Sequence, residues 1–212
     1  RRISSAASDV YKRQIWKKRK LEVRMLILVA IEDELKRREL PDHQIEYIGV
    51  GKVNAVFNTL KAIEKYSPKK IINFGTAGSL DAKINGLVEV SKFFQRDMDA
   101  SPLGFDVGQT PFEENIEISF GRQGVTCGTG DKFVTCAPKL KTDIVDMEAF
   151  AIAKVCKLKN IDFRCFKFIS DNANKEAKDD WVDNVSLGAK LFIERISSLK
   201  AVSYTHLRAH ET

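Results

Sequence analysis

Two carboxylates in this chain stand where a charge is costly to keep. Glu148 lies in Asp146-Met147-Glu148-Ala149-Phe150-Ala151 and opens an apolar run at helical spacing (Ala149, Ile152, Ala153, Cys156). Asp171 lies in Ser170-Asp171-Asn172, directly after the largely apolar stretch 163–169. A carboxylate set beside core-facing surface needs partners or a task. Two of them, delivered by different elements, describe a site that handles hydroxyls and protons. A third acid, Glu34, follows the apolar run 25–30.

Each candidate also has an ordinary reading. Glu34 is explained as a first-turn helix acid favoured by the dipole, Glu148 as a helix-start acid, and Asp171 as an N-cap. Gly49-Val50-Gly51-Lys52 lacks the spacing of a phosphate loop and reads as a tight strand-to-helix turn. Gly75-Thr76-Ala77-Gly78-Ser79 lets a backbone approach a ligand, or simply turns. Phe133, after Gly128-Thr129-Gly130-Asp131-Lys132, can stack on a flat base or fill the core. Gln95-Arg96-Asp97-Met98-Asp99 reads as a solvated turn. Taken singly, the ordinary readings prevail.

The elements that must position these residues change that balance. Strands are expected at 25–30, 45–50, 71–74, 87–94, 116–120, 124–128 and 163–169, and helices at 54–66, 144–158 and 181–199. This alternation implies an α/β layered fold with a largely parallel sheet. In such sheets ligands gather at the C-terminal ends of strands. Glu34, Thr76 to Gly78, and Asp171 all fall just past predicted strand ends, so together they read as one site.

A chain of 212 residues is long enough for one domain with a sizeable core. It contains no apolar run of membrane-spanning length, and no apolar segment of a secretory signal follows the basic start. Cys127, Cys136, Cys156 and Cys165 form no C-x-x-C pair and read as reduced, packed thiols. His43, His206 and His210 fit no metal-binding spacing, so neither metal nor organic cofactor is expected.

The net charge is +6, but residues 1–24 carry nine Lys/Arg and two Asp/Glu, and 201–212 carry one of each. Residues 25–200 are therefore at −1, which argues against a nucleic-acid-binding body. Residues 1–24 and 201–212 are expected to lie outside the fold, as read-through of cloning or adapter sequence. An Arg- and Ser-rich transit peptide is the competing reading of the first segment. The domain is expected to span 25–200.

Seven motifs occur in an order that resembles the nucleoside phosphorylase/nucleosidase superfamily, most of all the 5′-methylthioadenosine/S-adenosylhomocysteine nucleosidases. They are Ala30-Ile31-Glu32-Asp33-Glu34, Gly49-Val50-Gly51-Lys52-Val53-Asn54-Ala55, Gly75-Thr76-Ala77-Gly78, Asp97-Met98-Asp99 through Gly108-Gln109-Thr110-Pro111, Gly130-Asp131-Lys132-Phe133-Val134, Asp146-Met147-Glu148-Ala149 and Ile169-Ser170-Asp171. They span almost all of 25–200.

The resemblance implies a three-layer α/β/α fold with a central, largely parallel mixed sheet. It also implies hydrolysis of 5′-modified purine nucleosides with release of adenine. Glu34 then activates the attacking water, and Asp171 protonates adenine N7 with Ser170 beside it. Glu148 binds ribose hydroxyls and Met147 packs on the sugar. Thr76, Ala77 and Gly78 form the floor under the ribose. Phe133 stacks on adenine, the Val134 backbone meets the base edge, and Trp181 lines the 5′ pocket.

The chemistry suits these residue types. Breaking an N-glycosidic bond builds an oxocarbenium-like sugar and charge on the departing base. One acid must therefore hold its proton near neutral pH while a second carboxylate stands on the opposite face. Phosphorylases of the superfamily carry arginines near the first strand end and near the Gly-rich loop. Here those places hold Ile31-Glu32-Asp33-Glu34 and Gly75-Thr76-Ala77-Gly78-Ser79, which favours water over phosphate.

The chain departs from the family where the stretches 111–130 and 133–146 are short and where Thr76 replaces a common serine. The family's 5′ pocket borrows residues from a second subunit, in the segment matching Ala100, Leu103, Phe105 and Pro111, which implies a homodimer. A cytoplasmic enzyme is expected, without nucleic-acid or membrane partners. The alternatives are a phosphate-dependent phosphorylase, a catalytically silent purine nucleoside-binding protein and, more distantly, a nucleic-acid binder acting through its basic tail.

Overall fold

Strand β1 (Met25–Val29) is the buried strand that its unbroken apolar run predicts. The computed structural model describes residues 25–208, with side chains for 25–199; the expectations for 1–24 and 209–212 lie outside the described residues. A turn holding Glu34 and a 3-10 turn at Arg37–Glu39 lead to β2 (Gln44–Tyr47). Then follow α1 (Lys52–Tyr66), β3 (Lys70–Ser79), β4 (Leu87–Gln95), β5 (Glu117–Ser119), β6 (Val125–Thr129) and β7 (Ile144–Asp146). The chain continues through α2 (Ala149–Leu158), β8 (Asp162–Asp171), α3 (Ala177–Asn184) and α4 (Gly188–Arg208).

The strands form one mixed sheet in the order β2-β1-β3-β7-β6-β4-β5, with β8 pairing with both β3 and β4. Five of its pairings are parallel and three antiparallel. Because β8 bridges β3 and β4, the strands β3, β8, β4, β6 and β7 close into a ring. One apolar core packs α1 and α2 on the sheet through Ala55, Ala62, Ala149, Ile152, Ala153 and Cys156. A second packs α4 on the other face through Phe192 and Ile196, with Phe192 stacked on Phe74 at 4.3 Å between ring centroids. Each such buried ring contributes about 2–3 kcal/mol relative to exposure. The architecture is α/β with a largely parallel mixed sheet between helices.

Four local expectations change. Thr76, Ala77 and Gly78 do not leave the sheet; β3 runs on to Ser79 because β8 pairs with it as far as Gly78 and β7 pairs with Gly78 and Ser79. The predicted helix at 144–158 divides into β7 and α2, since Ile144 and Val145 pair with β6 and β3. The predicted helix at 181–199 begins at Ala177 and breaks after Asn184 into α3 and α4. Finally, of the apolar residues whose spacing marks α1 as a helix (Val53, Val56, Phe57, Leu60 and Ile63), only Ile63 packs against the core; the other four face outward, and the helix buries Ala55, Thr59, Ala62 and Tyr66.

Candidate active site

The β3/β8 pairing slips between Ala77 and Gly78. Ala77 is opposite Ile169, but Gly78 is opposite Asp171, so Ser170 is an extra residue in β8. A bulge of this kind re-aims the side chains that follow it. Asn184 Nδ2 pins it by donating to Ser170 O at 2.9 Å. Asp171 Oδ2 accepts from Ser170 Oγ at 2.8 Å and Oδ1 accepts from Ala173 N at 2.9 Å. Burial pushes the Asp171 carboxyl up and Asp180 adds to this, against the lowering effect of those two hydrogen bonds.

Glu34 approaches the same strand two to three residues earlier. Its Oε1 accepts from Thr76 N at 2.7 Å and Thr76 Oγ1 at 2.9 Å, while Oε2 is buried with no hydrogen-bond partner. Thr76 Oγ1 in turn accepts from Trp181 Nε1 at 3.0 Å, so α3 reaches Glu34 through a threonine hydroxyl. Burial raises the Glu34 pKa, opposed by the charge of Lys167 and the bonds from Thr76. Glu34 belongs to no helix, which removes its first-turn reading. Glu34 and Asp171 abut β3 at Thr76 and Gly78, positions about 7 Å apart along the strand.

Glu148 is the N-cap of α2 but makes no capping bond to its own helix. Asp146 Oδ2 does that work, accepting from Ala149 N at 2.8 Å. Glu148 Oε1 instead accepts from Gly51 N at 2.9 Å. Burial pushes the Glu148 pKa up to about 7, with Asp146 and Glu34 adding and Lys167 opposing.

Beneath these acids lies Lys167, in the middle of β8, 1% exposed, with Nζ 2.8 Å from Asp146 Oδ2. Burial opposes its charge, but Asp146, Glu148 and Glu34 outweigh burial and hold its pKa well above the ordinary lysine value. One cation thus serves three buried carboxylates. The sequence reading passed over Lys167; the signal was a lysine between two phenylalanines in a buried strand. It also misread Arg96, which is 8% exposed rather than solvated.

A cavity of about 560 Å³ opens over these groups, and all eleven residues singled out from the sequence line it. Glu34, Thr76, Ala77 and Gly78 come from the β1 and β3 side, Ser170, Asp171 and Trp181 from β8 and α3. Met147 and Glu148 come from the β7–α2 junction, and Phe133 and Val134 from the loop after β6. Among the described residues no group of three His, Cys, Asp or Glu is placed to hold a metal ion, and no helix is long and apolar enough to cross a membrane.

A family model described as the phosphorylase superfamily matches residues 44–127 and 122–201. The chain belongs to the phosphorylase superfamily. Within that superfamily it is 30% identical over 199 aligned positions to a 5′-methylthioadenosine/S-adenosylhomocysteine nucleosidase of Bacillus thuringiensis subsp. konkukian, covering 77% of this chain and 84% of the relative. The fold is shared with solved structures of the superfamily. A Helicobacter pylori 5′-methylthioadenosine/S-adenosylhomocysteine nucleosidase superposes with a TM-score of 0.74 at 21% identity, over 84% of this chain and 99% of that one. The futalosine hydrolase of Helicobacter pylori superposes with a TM-score of 0.71 at 21% identity, over 79% of this chain and 92% of that one.

Proposed function

We propose that this member of the superfamily is a purine nucleosidase that hydrolyses the N-glycosidic bond of 5′-modified adenine nucleosides such as methylthioadenosine. The observation that carries the reading is the pair of buried acids, Glu34 from the turn after β1 and Asp171 from the end of β8, which abut β3 at Thr76 and Gly78 and line one cavity. The kinship with a methylthioadenosine/adenosylhomocysteine nucleosidase supports it.

Asp171, whose pKa burial raises, donates a proton to purine N7 as the bond from the sugar carbon to N9 breaks and its electrons pass to the base. Water adds to the same sugar carbon and gives up its proton to Glu34, whose Oε2 has no other partner. An inverting displacement needs room for water between the two carboxylates, about 6.5–9.5 Å. Glu148 accepts from ribose hydroxyls and stabilises the developing cation. Thr76, Ala77 and Gly78 support the ribose, with Met147 packed on it. Phe133 stacks on the base, the Val134 backbone meets its edge, and Trp181 borders the 5′-substituent. The ends of β1 and β3 carry Glu34 and Thr76 to Gly78 where the phosphorylases carry arginines, which supports water over phosphate as the nucleophile.

The exposure of Val53 (79%), Leu103 (75%) and Phe112 (95%) supports a homodimer. Size-exclusion chromatography with light scattering tests this, and a fully active monomer contradicts it. The four thiols form no disulfide, in keeping with a reducing cytoplasm.

The deciding experiment incubates the full chain with methylthioadenosine, with and without phosphate, and follows adenine and the sugar product. The expected result is phosphate-independent adenine release with free methylthioribose. Release only with phosphate, giving a sugar 1-phosphate, makes the protein a phosphorylase. No release by folded protein leaves a binding role.

A further inference from the structure

Arg96 is a buried arginine that makes no ion pair among the described residues. It follows directly after β4, and its backbone N–H donates to Thr129 O at 2.9 Å, which extends the β4/β6 pairing. Its Nε donates to Gly128 O at 3.1 Å, and its Nη2 to Gly130 O at 3.1 Å and to Lys132 O. All three acceptors are carbonyls of the single stretch that delivers Phe133 and Val134 to the cavity. The glycines there make room for the guanidinium. A Cβ at position 130 would stand 2.9 Å from Arg96 Cζ and 2.9 Å from Asp97 Cγ. Taking a guanidinium out of water without a counter-charge is expensive, and its fixed planar fork is what one main-chain loop can be moulded on.

Asp97 grips the same stretch from the other side. Its Oδ2 accepts from Asp131 N at 2.9 Å, and its Oδ1 accepts from Lys52 Nζ. Lys52 N donates to Asp131 Oδ1 at 2.7 Å, and the preceding amide, Gly51 N, holds Glu148. The loop and the ribose-binding acid therefore hang from two consecutive amides at the head of α1. From Phe133 to Thr142 the chain forms neither helix nor strand, so the Phe133 ring is located by this root.

We propose that Arg96, seconded by Asp97, is a positioning residue that sets the stacking face for the purine base by moulding the 128–132 loop around its guanidinium. This rests on the nucleosidase reading above. The test measures free adenine affinity by calorimetry, and KM and kcat for methylthioadenosine, in the full-length wild type, Arg96→Lys, Phe133→Ala and the double variant. Arg96→Lys keeps the charge but not the fork. It is expected to weaken adenine binding about tenfold and to raise KM more than it lowers kcat. In the Phe133→Ala background the same change is expected to have little further effect, because the ring it positions is gone.

Asp97→Asn, paired in the same way with Phe133→Ala, is expected to behave alike and serves if Arg96→Lys does not fold. Additive effects in the cycle, or adenine affinity unchanged by both Arg96→Lys and Asp97→Asn, overturn the proposal. A wild type that neither binds adenine nor releases it overturns the nucleosidase reading, and this proposal with it.

Discussion

Gly78 faces Asp171 across the β3/β8 bulge so closely that a Cβ at position 78 would stand 2.6 Å from Asp171 Oδ1. The glycine is there for space, to let a strand backbone lie against a carboxylate. Gly78→Ala must push Asp171 aside. Since a misplacement of about 1 Å costs on the order of 100-fold, kcat/KM is expected to fall by roughly that factor. The melting temperature should change by less than about 5 °C. Steady-state kinetics and thermal unfolding check both; wild-type turnover would show that Asp171 need not stay where it is.

The raised pKa of Asp171 has a kinetic sign. In the proposed role the acid donates only while protonated, so turnover is expected to fall as pH rises through its elevated pKa. Asp171→Asn cannot donate. It is expected to lose roughly 100- to 10,000-fold in base release while still binding nucleoside, and to lose the alkaline limb of the pH profile. Near-normal turnover sinks the role.

Glu148 carries a stability signature. Its folded pKa of about 7 lies above its ordinary value of 4.5. A group raised on folding contributes stability that is fully present below the unfolded value and is lost as pH rises through the folded one. The melting temperature of Glu148→Gln, relative to wild type, should therefore climb between pH 4.5 and about 7 and then level off. A difference that shrinks over this window contradicts the burial argument.

Lys167 is the counter-charge for Asp146, with Glu34 and Glu148 close enough to feel it. Lys167→Met leaves buried carboxylates without it and is expected to cost about 3–5 kcal/mol in urea unfolding. Adding Asp146→Asn should recover part of that loss, because the uncompensated charge is then removed as well. A double variant less stable than the single would show that Lys167 acts mainly through packing.

Much of the cavity lining was legible in the sequence. Glu148 and Asp171 drew attention because a carboxylate beside an apolar run is anomalous in one dimension, and the order of short motifs added Phe133, Met147 and Trp181. Arg96 and Lys167 were harder. A charged residue in a turn is ordinarily solvated, and only the carbonyls that converge on Arg96 reveal its burial. Lys167 sits in an apolar strand, where its charge is tolerable only because Asp146 arrives from β7.

The amino-acid sequence by itself determined the alternation of strands and helices and the α/β class, because periodicity is written in neighbouring positions, and its ordered motifs, through their resemblance to a family, named eleven residues that line the cavity. Tertiary structure alone decided the rest. It carried β3 through Thr76–Gly78 by pairing it with β8, a contact about 90 residues away in sequence. It turned Val53, Val56, Phe57 and Leu60 of α1 outward, because helical spacing marks a face without saying which way it points. It placed Glu34 and Asp171 at one cavity because the parallel β1, β3 and β8 present their ends together, a consequence of pairing order that no local pattern encodes.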